Sequence, residues 1–109
     1  MYQKIKNYLF KRTIKKAAGV GVEIAGKFEC RNPTGLHIGN YVYIGTDAKI
    51  WGTGETYIGN NVIIGPNLTL LNTNHNYIGE LLPYDRNAIC KNVIIDDNVL
   101  IASNVNIVP

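Results

Sequence analysis

A unit of six residues recurs along most of this chain and restricts the folds that it can adopt. Each unit has an aliphatic residue, often a glycine after it, and four variable positions, as in Ile38-Gly39, Ile44-Gly45, Ile58-Gly59 and Ile64-Gly65. A short internal period of this kind is typical of a β-helix, in which each coil of the chain stacks on the previous one. The repeat therefore predicts an all-β protein of stacked coils.

A second regularity indicates which residues face inward. The residue two positions before each aliphatic residue is usually apolar too, and residues two apart in a strand point to the same face. The register of these pairs repeats every 20 residues, which predicts three short strands in each coil around one core. The predicted stacks are Ile24, Ile44 and Ile64 on one side, Cys30, Ile50 and Leu70 on a second, and Ile38 and Ile58 on the third.

Two segments depart from the repeat. Residues 2–16 have apolar residues at helical spacing, and they predict a short amphipathic helix within an N-terminal segment, residues 1–19, that covers the first coil. The repeats occupy residues 20–109, interrupted by an excursion over residues 71–92 that is predicted to protrude as a loop. A long segment without repeats inside a compact domain is usually functional. The excursion is therefore the first candidate for a site.

The charge is distributed unevenly along the chain. The net charge is +3, but the first sixteen residues contain six basic residues and no acid, which leaves −3 for the rest. Such a segment is most often a solvated helix face, and we expect no nucleic-acid partner. The alternative is a weak contact with a membrane surface through residues 2–16.

The cysteine pattern and the absence of a signal sequence bear on the compartment. Cys30 and Cys90 have no metal-ligand spacing, and two cysteines do not suggest a disulfide framework. The sequence contains neither a signal peptide nor an apolar run of membrane-spanning length. We therefore expect a cytoplasmic protein with no metal site.

The repeats and the excursion together resemble the hexapeptide-repeat acyltransferases, in the branch with maltose, galactoside, capsular-polysaccharide and lipopolysaccharide O-acetyltransferases. The resemblance covers residues 20–109 and is most specific at IGNNVIIGPN (residues 58–67), the segment around His75, Arg86-Asn87 and KNVIIDDNV (residues 91–99). It implies a left-handed parallel β-helix, an exception to the right-handed rule for parallel crossovers. It also implies a homotrimer with active sites between subunits.

The last coil departs from the family pattern. Where the family usually has Gly-Asp-Asn-Val-Trp-Ile-Gly, this chain has DDNVLIA (residues 96–102), so the tryptophan and both glycines are replaced. The resemblance implies contacts between this coil and acetyl-CoA, here at Ala102 and Ser103. Family members continue past the position of Pro109 with at least one further coil. We therefore expect this chain to be truncated at its C-terminus.

The excursion contains the candidate catalytic group. Moving an acetyl group from a thioester to a hydroxyl requires a base, and a neutral imidazole can accept the proton. His75 lies just beyond the core position Leu70 and is predicted to be that base. Asn74 and Asn76 are candidate donors to the oxyanion, although asparagine also favours turns. Trp51 and Tyr77 are predicted either to stack on a sugar ring or to cover the subunit interface.

Two other residues are expected to stay outside the chemistry. His37 lies between the inward pair Leu36 and Ile38, so it is predicted to be an outward surface residue. Cys90 as a covalent acyl carrier would need a base or a positive field beside it. Direct transfer in a ternary complex is the simpler prediction.

The sequence thus predicts an acetyl-CoA-dependent O-acetyltransferase acting on a hydroxyl of a sugar or a cell-surface polysaccharide precursor. One alternative is an antibiotic or amino-sugar acetyltransferase, because the His75 segment fits either class of acceptor. Another alternative, of a different class, is a non-catalytic β-helix scaffold subunit. The two classes differ in whether the protein binds acetyl-CoA.

Overall fold

Three parallel sheets make up most of the regular structure. The computed structural model describes residues 11–15, 17–74 and 89–109. We name the sheets A, B and C in the order in which the chain first enters them. Sheet A contains β1 (Glu23–Ile24), β4 (Tyr43–Ile44), β7 (Ile63–Ile64) and β12 (Leu100–Ile101); sheet B contains β2 (Phe28–Cys30), β5 (Ala48–Trp51), β8 (Thr69–Leu71) and β13 (Asn106–Ile107); sheet C contains β3 (Leu36–Ile38), β6 (Thr56–Ile58) and β11 (Val93–Ile95).

The chain passes through sheets A, B and C in that order and then enters sheet A again, so each passage forms one coil. Strands one coil apart pair in parallel, with Ile44 between Ile24 and Ile64 in sheet A. The predicted stacks in sheets B and C are paired in the same register. The 20-residue register predicted from the sequence is therefore confirmed, and the fold is an all-β parallel one.

The core lies between the three sheets. Most inward-facing apolar residues of the middle coils are buried, and Ile44, Ile64, Leu68 and Leu70 are fully inaccessible to solvent. Ile24 and Cys30, in the first coil, are partly buried. Two polar residues, Thr56 and Asn72, are also buried in the core, and the apolar pattern did not predict them. Burying a polar group is costly unless it is hydrogen-bonded. Every buried side-chain nitrogen or oxygen in the described part of the chain has a partner.

Side chains at the corner between sheets C and A hold successive coils together. The side-chain oxygen of Asn60 accepts from the Asn40 N–H at 2.8 Å, and Asp97 accepts from the Asn60 N–H at 2.6 Å. A Cβ added at Gly39 would lie 2.5 Å from the Asn60 oxygen. Glycine is therefore required at position 39 by the close approach of the next coil.

Residues with positive φ turn the chain at two corners. Asn61 and Asn98 have φ near 60° between sheets C and A, and Asn67 and Asn104 have similar values between sheets A and B. Asparagine tolerates this left-handed conformation better than most residues. Tyr41 adopts the same conformation at φ 57°, which is rare for a bulky residue.

The described part of the N-terminal segment is helical at residues 11–15 and 17. Ile14 is buried in the core, and Ala18 packs against the same cluster. This part of the predicted helix therefore contacts the first coil as expected, whereas residues 1–10 and 16 lie outside the described residues. Within residues 11–15, 17–74 and 89–109, no helix is long and apolar enough to cross a membrane.

Candidate functional site

The excursion between sheets B and C begins and ends in a short antiparallel ribbon. Leu71, which the sequence placed in the excursion, is the last residue of β8 and pairs with Trp51. The ribbon consists of β9 (Thr73–Asn74) and β10 (Ile89–Cys90), with Thr73 paired to Cys90. The two ends of the predicted loop are therefore joined by paired strands, which we call the base of the excursion.

Asn72 fixes this base to the second coil. Its side-chain NH₂ donates to the Gly54 carbonyl at 2.9 Å and to the Thr56 hydroxyl at 3.1 Å, and its Oδ1 accepts from the Gly54 N–H at 3.0 Å. Its own carbonyl accepts from the N–H of Lys91, the residue after β10, at 2.9 Å. A buried network with every member satisfied is rigid. Asn72 therefore holds both ends of the excursion at one corner.

Cys90 lies exposed at the same corner, beside two threonine hydroxyls. Its sulfur is 3.2 Å from Thr53 Oγ1 and 3.6 Å from Thr73 Oγ1, and these hydrogen bonds, led by that of Thr53, lower the pKa of the Cys90 thiol. Burial instead raises the pKa of the Cys30 thiol. Of the two cysteines, Cys90 has the greater thiolate character. The threonines are not bases, so they do not supply the activating group that a covalent acyl carrier needs.

A cluster of aromatic and acidic side chains lies on the outer face of sheet C. The rings of His37 and Tyr57 stack with centroids 4.5 Å apart and an interplanar angle of 10°. The Tyr57 hydroxyl donates a hydrogen bond to Glu55, which raises the pKa of the phenol. The second Glu55 oxygen is 3.9 Å from His37 Nε2. The prediction that His37 faces outward is confirmed, but its ring also has a defined neighbour.

This cluster borders an open hollow of about 370 Å³, which we call the sheet C hollow; its walls are His37, Ile38, Gly39, Tyr57, Ile58, Gly59 and residues 94–97. Glu55 and Gly54 connect the hollow to the base of the excursion, because the Glu55 carbonyl accepts from the Val93 N–H at 3.0 Å while Gly54 is bonded to Asn72. The strand that follows Glu55, β6 (Thr56–Ile58), is about 10 Å long and runs from the corner at Gly54 into the wall of the hollow. The hollow and the start of the excursion are therefore close together.

The His37–Tyr57 ring stack and the contact of Cys90 with Thr53 differ in how far the sequence could predict them. The register that pairs Ile38 with Ile58 also pairs His37 with Tyr57, so the ring stack was predictable. The contacts of Thr53 with Cys90 depend on how the excursion returns, and no repeat signals that.

The other predicted site residues lie in several places. Trp51 is exposed on sheet B, where its indole N–H donates to Glu29 at 3.2 Å, so it does not join the sheet C hollow. Ala102 and Ser103 are exposed at the corner between sheets A and B and stack over Gly65. Asn74 lies in β9, and its side chain is outside the described residues. His75, Asn76, Tyr77 and Arg86 are outside the described residues as well.

The described residues carry no group of three or more His, Cys, Asp or Glu side chains that could hold a metal ion. Comparison of the chain with family models, with curated proteins and with solved structures gives no match. The resemblance seen in the repeats thus stays a prediction.

Proposed function

We propose that this protein is an acetyl-CoA-dependent O-acetyltransferase that acts in the cytoplasm on a hydroxyl of a sugar or a cell-surface polysaccharide precursor. The observation that carries the proposal is the placement of the excursion. A rigid corner built on Asn72 holds the point where the chain enters the excursion, and the sheet C hollow lies close to that corner. A rigid attachment point for the predicted catalytic segment, close to a concave surface, suits a reaction between two bound substrates.

The fold that belongs to this proposal is a left-handed parallel β-helix. Three observations support it: the six-residue unit, the three parallel sheets entered in a fixed order, and the asparagines with positive φ at two corners. A crystal structure of the protein would test the hand of the coil directly.

In the proposed reaction His75 removes the proton from the acceptor hydroxyl. The alkoxide oxygen then forms a bond to the carbonyl carbon of the thioester, and donors near the ribbon stabilise the oxyanion that develops. The C–S bond breaks as the carbonyl re-forms, and the thiolate of coenzyme A leaves with the proton from the imidazole. The protein contributes position and a base, and the donor contributes the activated acyl group.

The sheet C hollow is the proposed site for the acceptor. Small-molecule sites combine apolar and aromatic walls with a few convergent polar groups. Here Tyr57 and Ile94 supply apolar surface and Asp96 and Asp97 supply carboxylates to the wall, while Glu55 accepts a hydrogen bond from Tyr57 at its edge. Carboxylates accept hydrogen bonds from hydroxyl groups. This set of groups suits a carbohydrate better than a purely apolar ligand.

Release of free thiol tests the proposed function. We expect the protein to release coenzyme A from acetyl-CoA only when an acceptor sugar or glycan is also present. A panel of amino sugars and antibiotics alongside neutral sugars would identify the acceptor class. A protein that does not bind acetyl-CoA saturably would instead be the scaffold subunit.

Two aromatic variants test where the acceptor binds. Tyr57→Ala is expected to raise the KM for the acceptor about 10-fold, since one aromatic contact contributes on the order of 1 kcal/mol or more. Trp51→Ala is the matched control on sheet B, where the indole is engaged with Glu29. An unchanged KM for Tyr57→Ala with a raised KM for Trp51→Ala would move the acceptor to sheet B.

We also propose that three copies of the chain assemble. On the outer face of sheet A the paired residues Ile63 and Leu100 form an apolar row and are 52% and 75% exposed. The corresponding pair on sheet B, Thr69 and Asn106, is polar. An exposed apolar row of this kind marks a contact surface. Assembly would also bring the corner that carries Ala102 and Ser103 towards a second copy.

The double variant Ile63→Glu/Leu100→Glu is expected to convert a trimer into monomers, because it places carboxylates where the contact is apolar. Light scattering after gel filtration measures the mass. The double variant Thr69→Glu/Asn106→Glu, in the same coils but on sheet B, should keep the mass of the wild type. A trimer that survives the sheet A changes would contradict this interface.

A further inference from the structure

A second site lies at the other end of the described chain, against the N-terminal helix. We propose that Lys11, Arg12 and Lys15 form a binding site for a phosphate-bearing anion with two or more negative charges. The site lies apart from the sheet C hollow and from the excursion, and it does not depend on the proposed transferase activity. Three observations support it: a hollow, a set of converging cations, and the absence of an ion pair between these cations and any carboxylate in the described part of the chain.

The geometry brings the three cations to one hollow. Lys11 and Lys15 are four residues apart on the helix and Arg12 is three before Lys15, so their side chains leave the same side of it. These three residues and Ile24 border a hollow of about 320 Å³, at the lower end of the roughly 300 to 1,000 Å³ typical of ligand sites. Ile24 belongs to the first strand of sheet A, so the wall opposite the helix is the edge of the first coil.

The position of Lys11 is fixed by the coil. Its ammonium donates to the carbonyl of Gly26 at 2.6 Å, in the turn between sheets A and B. Ile14, one turn after Lys11 on the same helix, is buried in the core. These two contacts hold the helix in one orientation, so the cations are presented together before a ligand arrives. Such preorganisation reduces the entropy lost on binding.

The charge of this hollow is not neutralised by its surroundings. Residues 1–16 contain no Asp or Glu, so the neighbouring sequence adds positive charge only. Within the described part of the chain, no carboxylate forms an ion pair with Lys11, Arg12 or Lys15. Glu23 and Lys15 border a separate hollow on the same end, but they too are not paired. Three close cations without acidic partners favour a multiply charged anion.

The mixture of side chains favours phosphate over other anions. The guanidinium of Arg12 can bind two phosphate oxygens at once, and the lysines add point charges on either side of it. Ile24 supplies an apolar surface next to the charged one. A phosphate or diphosphate group attached to an apolar or sugar moiety would use both surfaces. Such a group can come from a soluble phosphorylated compound or from a lipid headgroup.

Calorimetric titration with inorganic pyrophosphate tests the first source. The wild-type chain should bind it saturably, and Arg12→Gln/Lys15→Gln should weaken binding at least about 10-fold, since two of three charges are lost. Glutamine keeps helix propensity, and a thermal melt checks that the variant folds. Arg31→Gln/Lys49→Gln removes the same charge elsewhere and should bind like the wild type. Binding should also weaken with salt, because the Debye length falls from about 10 Å at 0.1 M to about 3 Å at 1 M.

Flotation with vesicles tests the second source. Vesicles of phosphatidylcholine with phosphatidylglycerol are compared with vesicles of phosphatidylcholine alone, using the same three proteins. Flotation with the anionic vesicles that is lost only in Arg12→Gln/Lys15→Gln, without pyrophosphate binding, would assign the site to a headgroup. If the double variant matches the wild type and the control in both assays, the site is overturned, whatever the transferase assay shows.

Discussion

Ile64→Asp should abolish the cooperative unfolding transition of this protein. Ile64 is fully buried, and its neighbours in sheet A are Ile44 in the coil before and Ile101 in the coil after. The substitution loses about 1.5 to 3 kcal/mol of apolar burial. It also places a carboxylate in the core, at a further cost of several kcal/mol. Together these approach the roughly 5 to 15 kcal/mol by which most domains are stable.

Thermal melting followed by circular dichroism measures the effect, and Ile94→Asp is the matched control. It introduces the same change of residue in sheet C, but at a position that is 69% exposed. We expect this control to melt within a few degrees of the wild type, since surface substitutions rarely change stability by more than about 0.5 kcal/mol. A soluble Ile64→Asp protein with an unchanged melting temperature would disprove the inward register of sheet A.

The register was predictable because it depends on repeated apolar pairs. A period that places Ile24, Ile44 and Ile64 on one side needs no knowledge of the turns, and the parallel pairing agrees with it. The same period extends to the outward positions, where it brings His37 next to Tyr57. The core and the ring stack therefore follow from one regularity in the sequence.

The polar part of the interior was not predictable in that way. Thr56 and Asn72 are buried although neither is apolar, and each is satisfied by the other or by backbone groups of the second coil. Hydropathy assigns such residues to the surface because it does not represent their hydrogen-bond partners. The ribbon of Thr73–Asn74 with Ile89–Cys90 was missed for a related reason, since strands of two residues are too short to show alternation.

His75→Ala should lower turnover about 100-fold or more while leaving the melting temperature and the affinity for acetyl-CoA nearly unchanged. The reason is that a positioned general base typically contributes about 10²- to 10⁴-fold, whereas the excursion that contains His75 leaves the core at Asn72. The measurement is release of free thiol with a saturating acceptor, together with a thermal melt of each protein.

The second histidine provides the contrast that identifies this role. His37 stacks on Tyr57 at the edge of the sheet C hollow, so His37→Ala is expected to raise the KM for the acceptor and to change kcat by no more than about twofold. A lost base acts on kcat, while a lost contact to the acceptor acts on KM. Lys27→Ala, an exposed change in the first coil, should alter neither constant. If His75→Ala kept the turnover of the wild type, the base would have to be another group and the assignment of the excursion as the catalytic segment would be wrong.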